Sequence, residues 1–137
     1  PQNVEALVVE PSGSPVVLTK RMDGLTRLYR VPLGVEGTAS AELLSSLDLE
    51  RGMGLPTLVT AADLWPDGTR LLVRTYALML EIPIGPGGLE SASMEGAVQL
   101  EPAIELQGES VAYQASPPAI WHISEGSQPM MNRLSCE

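Results

Sequence analysis

Apolar and polar positions alternate over short stretches of this chain, and the stretches end at Pro, Gly, Asp or Ser. A period near two with turn residues at the boundaries is the pattern of short β-strands. Residues 4–9 are mostly apolar, rich in valine, and close at Pro11-Ser12-Gly13. They predict a strand, with residues 16–20 as its antiparallel return. Asp23-Gly24 is a hairpin-turn signal, and residues 25–31 follow it as a third strand. Within that strand Leu25, Arg27, Tyr29 and Val31 point one way, and Thr26, Leu28 and Arg30 the other. Both faces then carry apolar groups, as expected where sheets stack on each other. Residues 32–38 read as a loop. Residues 43–49 read as a fourth, outer strand, although the composition there also suits a helix.

The same plan recurs. A phrase of apolar run, Pro/Gly turn and second apolar run starts at Glu5, at Thr60 and, more loosely, at Glu109, so the copies lie 55 and then 49 residues apart. In the second unit, residues 58–64 and 70–75 flank the turn Pro66-Asp67-Gly68. Residues 76–82 continue as a third strand and residues 97–100 as a fourth. Gly85-Pro86-Gly87-Gly88 reads as a loop with no helix after it, and nothing up to Gly96 is ordered by pattern. In the third unit, residues 109–113 and 119–123 form the hairpin and residues 130–134 the third strand, with no sequence left for a fourth. Gly and Pro together make up 25 of the 137 residues and sit at these joints, which argues against long helices.

Self-similarity at this period signals a repeat architecture, and four short antiparallel strands per unit are the blade of a β-propeller. The expectation is an all-β domain spanning residues 1–137, with blade units at about 3–56, 57–106 and 107–137. Three blades do not close a ring, since propellers have roughly four to eight. An open fragment would expose two apolar blade faces. The missing blades would lie on another segment or chain, or in a second copy of this one. Pro1-Gln2 leads straight into the first repeat, which reads as an internal start in a longer protein.

Composition narrows the partners. The hydrophobic fraction is 44% and Phe is absent, so the core falls to Leu, Val, Ile and Ala, with Trp65, Trp121 and three tyrosines. The net charge is −9, and Lys20 is the only lysine among scattered basic residues. Binding to nucleic acid or to an anionic membrane surface needs clustered Lys and Arg, so neither partner is expected. No apolar run approaches the roughly 20 residues that span a bilayer. Cys136 is the only cysteine, which leaves no internal disulfide and no cysteine-based zinc site. It would pair with a segment outside this chain or stay an inert thiol.

The repeats also put residues in register. Glu5, Thr60 and Glu109 fall at one equivalent place, the start of the innermost strand beside the central channel. Converging carboxylates there suit Ca²⁺ or, with separated pKa values, general acid–base work; the plainer reading is that each caps a strand. Asp63 stands where the first unit has Val8 and needs a partner, Arg74 or a neighbouring turn. Lys20, Arg74 and Glu125 share a second equivalent place at the end of the return strand, as an ion-pair network or as the lining of a pocket for an anionic ligand. His122, the only histidine, sits in a strand and reads as structural. No Gly-x-Ser-x-Gly elbow, phosphate loop or dinucleotide fingerprint is present.

A series of phrases runs from Asn3-Val4-Glu5-Ala6-Leu7 with Thr19-Lys20, through Val59-Thr60-Ala61-Ala62-Asp63 with Pro66-Asp67-Gly68 and Arg74-Thr75-Tyr76, to Gln107-Gly108-Glu109 and Ser124-Glu125-Gly126. This series resembles the C-terminal half of a largely uncharacterised family of bacterial β-propellers, whose preceding half carries Asp-rich segments. It is more distantly similar to SdiA-regulated propellers and β-propeller phytases, which place a Glu after an Asn near an inner strand and bind calcium. The resemblance implies an exported protein, periplasmic or secreted, with Glu5 and Glu109 near a calcium ion. The phytase catalytic pattern is not otherwise present. The expected function is a non-enzymatic binding or interaction domain. The alternatives are part of a metal-dependent phosphoesterase or lactonase whose other half is missing here, and an assembly module that closes a ring with a second copy.

Overall fold

The alternating pattern folds into three antiparallel sheets. The structure is a computed structural model that describes residues 2–50, 57–101 and 107–135. The first sheet has the order β1 (Val4–Val9), β2 (Pro15–Thr19), β3 (Leu25–Arg30), β4 (Glu42–Asp48). The second has the order β5 (Val59–Leu64), β6 (Arg70–Thr75), β7 (Met79–Pro83), β8 (Val98–Leu100). The third consists of β9 (Gly108–Gln114), β10 (Ala119–Ser124) and β11 (Met131–Ser135), and no fourth strand joins it among the described residues. The joints between the expected units, and Cys136, lie outside the described residues.

The repeated turn is built the same way twice. Gly13 N–H donates to the Glu10 carbonyl at 2.8 Å, and Gly68 N–H to the Trp65 carbonyl at 2.7 Å. Pro11 and Pro66 supply the fixed φ of the second turn position. Gly13 and Gly68 close the turn at φ +88° and +78°, where a side chain would be strained. The third turn lacks this glycine and carries a cis Ser116–Pro117 bond instead.

The sheets stack face to face, with the first strand of each beside the next: β1 neighbours β5, and β5 neighbours β9. The middle sheet is therefore covered on both sides, and β6 is buried along Leu71, Leu72, Val73, Arg74 and Thr75. Alternation divides the work. Leu71 and Val73 join Val8, Val16, Leu18, Leu28 and Leu80 in the core against the first sheet. Leu72 joins Met79 and Ile120 against the third, with Val111, Tyr113 and Leu134 packed around them.

Two local expectations change. Residues 76–78 belong to a tight bend closed by Thr75, whose Oγ1 accepts the Leu78 N–H at 2.8 Å, so the strand begins only at Met79. The stretch after Gly85 is not patternless: Gly88–Ser91 forms a 3-10 turn that buries Leu89. Ser45 Oγ of β4 donates to the Leu89 carbonyl at 2.8 Å, so a contact distant in sequence orders a segment with little local preference. Arg30 fastens the same edge. Its guanidinium meets Glu10 at 3.0 Å, Glu90 at 3.0 Å and Glu42 at 3.2 Å, and these carboxylates, Glu10 foremost, raise its pKa.

Polar groups join the second and third sheets. Asp63 accepts the Leu64 N–H at 2.8 Å and, across the junction, the Tyr113 N–H of β9 at 2.7 Å. The partners of this carboxylate are thus backbone amides, one of them on the neighbouring sheet. Thr60 Oγ1 donates to the Gly108 carbonyl at 2.6 Å. At the outer end Trp65 and Tyr113 meet edge to face at 5.0 Å, with Arg70 stacked over Trp65 at 3.9 Å. Tyr113 donates to Glu81 at 2.8 Å, and burial, reinforced by this bond, raises the phenol pKa.

The double burial of β6 yields a test. Leu71→Ala and Leu72→Ala empty opposite faces of one strand, and each should lower stability by about 2–5 kcal/mol in urea denaturation. Gly108→Ala should cost about 1–3 kcal/mol by the same measurement, because the new Cβ would fall 2.1 Å from Arg74 Nε.

Candidate functional site

All three hairpins carry the same irregularity. The β1–β2 register slips between Val4 and Ala6, the β5–β6 register between Val59 and Ala61, and the β9–β10 register where Ser110 pairs Ile123 but Gly108 pairs Ser124. The extra residues are Glu5, Thr60 and Glu109, the three positions aligned by sequence repetition. A bulge bends its strand and re-aims one side chain. Here it occurs at the same end of the first strand of each sheet.

An open cleft of about 490 Å³ lies at that end, lined by Glu5, Lys20, Tyr76, Glu109, Ser110, Ser124 and Glu125. Each sheet contributes. Lys20 Nζ donates to Tyr76 Oη at 2.7 Å and lies 3.9 Å from Glu5 Oε1. The Tyr76 hydrogen bond is the main cause of a raised Lys20 pKa, followed by the charges of Glu5 and Glu109 against opposing desolvation. Lys20 therefore stays an ammonium at neutral pH and acts as a cation, not as a base. Thr60 does not face the cleft; it is buried and bonded to Gly108.

Four of the five expected site residues, Glu5, Lys20, Glu109 and Glu125, thus line one cleft. Arg74 does not. It is 1% exposed, with its guanidinium against Gly108 inside the junction of the second and third sheets. The register explains the difference. Val4 pairs Thr19, Val59 pairs Thr75 and Gly108 pairs Ser124, so the residues that follow these partners are Lys20, Tyr76 and Glu125. Arg74 is two positions before Tyr76 and is the counterpart of Leu18 and Ile123, so it lies inside the paired ladder, short of the cleft. Tyr76 is the site residue that matching basic side chains misses; matching the threonines of Thr19-Lys20 and Thr75-Tyr76 would have found it. His122 is buried on β10, the middle strand of the third sheet.

For calcium the donor set is partial. Glu5 and Glu109 provide hard oxygen ligands, but the Lys20 ammonium already sits beside Glu5. Among the described residues no three His, Cys, Asp or Glu side chains gather closely enough to hold a metal ion. None of the described helices is long and apolar enough to cross a membrane. No known protein family matches the chain, and no curated protein resembles it in sequence.

Tyr76→Phe removes the largest stabiliser of the Lys20 ammonium, so the Lys20 pKa should fall. Amine acylation followed by mass spectrometry should show Lys20 labelling faster in the variant at alkaline pH. Because the folded-state pKa is raised above 10.5, the stability that Lys20 contributes is complete below that value. It is lost as pH rises through the folded pKa, and the variant should narrow that alkaline loss.

Proposed function

We propose that the chain is a β-propeller segment that binds a ligand, without transforming it, at the mouth of the propeller's central channel. The observation that carries this reading is one cleft lined from three successive units: the bulges of the first and third sheets supply Glu5 and Glu109, and the bend after β6 supplies Tyr76. Stacked antiparallel sheets, two of four strands and one of three, with their first strands side by side support the propeller itself. In that arrangement β1, β5 and β9 line the channel, and the cleft opens at its rim.

The charge of the rim selects the ligand. Three carboxylates, Glu5, Glu109 and Glu125, face one ammonium, Lys20. The excess of negative charge favours a small cation, either an organic amine held by carboxylates and the Tyr76 hydroxyl or Ca²⁺ held by carboxylates and water. Lys20 competes for Glu5, so it restrains cation affinity and leaves Glu109 and Glu125 as the principal anions.

Melting curves of the chain with calcium chloride, and separately with the diamine putrescine, test the reading. One of the two should raise Tm by several degrees when it is present well above its Kd, since a hundredfold excess stabilises by about 2.7 kcal/mol. The double variant Glu109→Gln, Glu125→Gln should abolish that rise while keeping its urea stability, and Lys20→Met should strengthen binding several-fold. No rise with either probe, or a rise that survives the double variant, sinks the proposal.

A further inference from the structure

Two sheet faces are left without cover among the described residues, and they are opposite halves of one junction. On the outward face of the first sheet, Leu7, Val17, Tyr29 and Leu43 form a row through direct register partners on all four strands. Leu7 is 59% exposed and Leu43 53%. On the outward face of the third sheet, Trp121 pairs Ala112, and Ile123 pairs Met131, around an apolar depression of about 140 Å³.

Register shows what each face is shaped to meet. Counted from the common bulge, Val17 holds the place of Val73, which packs on the preceding sheet. Trp121 holds the place of Leu72, which packs on the following sheet. The outward face of the first sheet is therefore a face that receives a preceding sheet, and that of the third a face that receives a following one. The chain makes this junction twice within itself and carries both halves of a third.

We propose that a second copy of the chain supplies the missing halves, with the third sheet of each copy docked head to tail on the first sheet of the other. Two such junctions close a ring of six sheets, within the usual range for propellers, whereas one copy cannot close and three would exceed that range. The inference rests on the propeller reading above. It extends that reading by naming the partner, and it continues the row of first strands β1, β5 and β9 through both copies.

Light scattering after size exclusion tests it directly, with an expected mass twice that of the 14.6 kDa chain. Leu7→Asp and Met131→Asp alter exposed side chains on opposite faces, and each alone should give a monomer with unchanged circular dichroism. Mixed, the two variants should recover a dimer, because one junction between their intact faces remains. A monomeric natural chain at high concentration overturns the docking alone and leaves the ligand cleft to its own test. Dissociation by only one of the variants means like faces pair, and overturns the head-to-tail arrangement. An open series of growing masses overturns ring closure and the propeller reading with it.

Discussion

The structure depends on the burial of one strand from both sides. β6 is buried on both faces from Leu71 to Thr75, so it folds only if one sheet covers Leu71 and Val73 and another covers Leu72 and Arg74. Burial of apolar area is non-directional and does not by itself choose a stacking order. The order comes from directional contacts at the edges of each layer. Arg30 draws Glu10, Glu42 and Glu90 together across the first junction, and Asp63 and Thr60 reach the backbone of β9 across the second.

The strands and turns were largely legible in the chain because they rest on local chemistry. Pro11-Ser12-Gly13 and Pro66-Asp67-Gly68 mark their turns through the φ preferences of proline and glycine, and β6 spans the expected residues 70–75. The 3-10 turn at Gly88–Ser91 was not legible, because Leu89 is ordered by β4, more than forty positions away in the sequence. At the cleft, repetition aligned Glu5, Thr60 and Glu109, but it could not reveal that the aligned residue is a bulge. Without the bulge the return strands have no common origin, and Arg74 rather than Tyr76 falls opposite Lys20 and Glu125.

The two ends of the stack differ in how their charges are matched. At the turn end, Arg30 is surrounded by carboxylates that join sheets, and Trp65, Arg70, Tyr113 and Glu81 interlock. At the bulge end, the carboxylates outnumber the single ammonium and line an open cleft. The same side-chain chemistry binds the sheets where it is matched and leaves an excess of negative charge in the open cleft where it is not.

The unequal composition of the two internal junctions bears on how the molecule opens. The first and second sheets share a continuous hydrocarbon core, whereas the second and third share the small group Leu72, Met79 and Ile120, with a buried guanidinium, a carboxylate and a hydroxyl beside it. The smaller apolar cluster at this junction makes the third sheet the one expected to open first. On that packing its amides should exchange through detachment of the whole sheet, and those of β2 and β6 only through global unfolding. Because polar exposure lowers the heat capacity of unfolding and apolar exposure raises it, that detachment also carries a shallower temperature dependence than the collapse of the other two sheets.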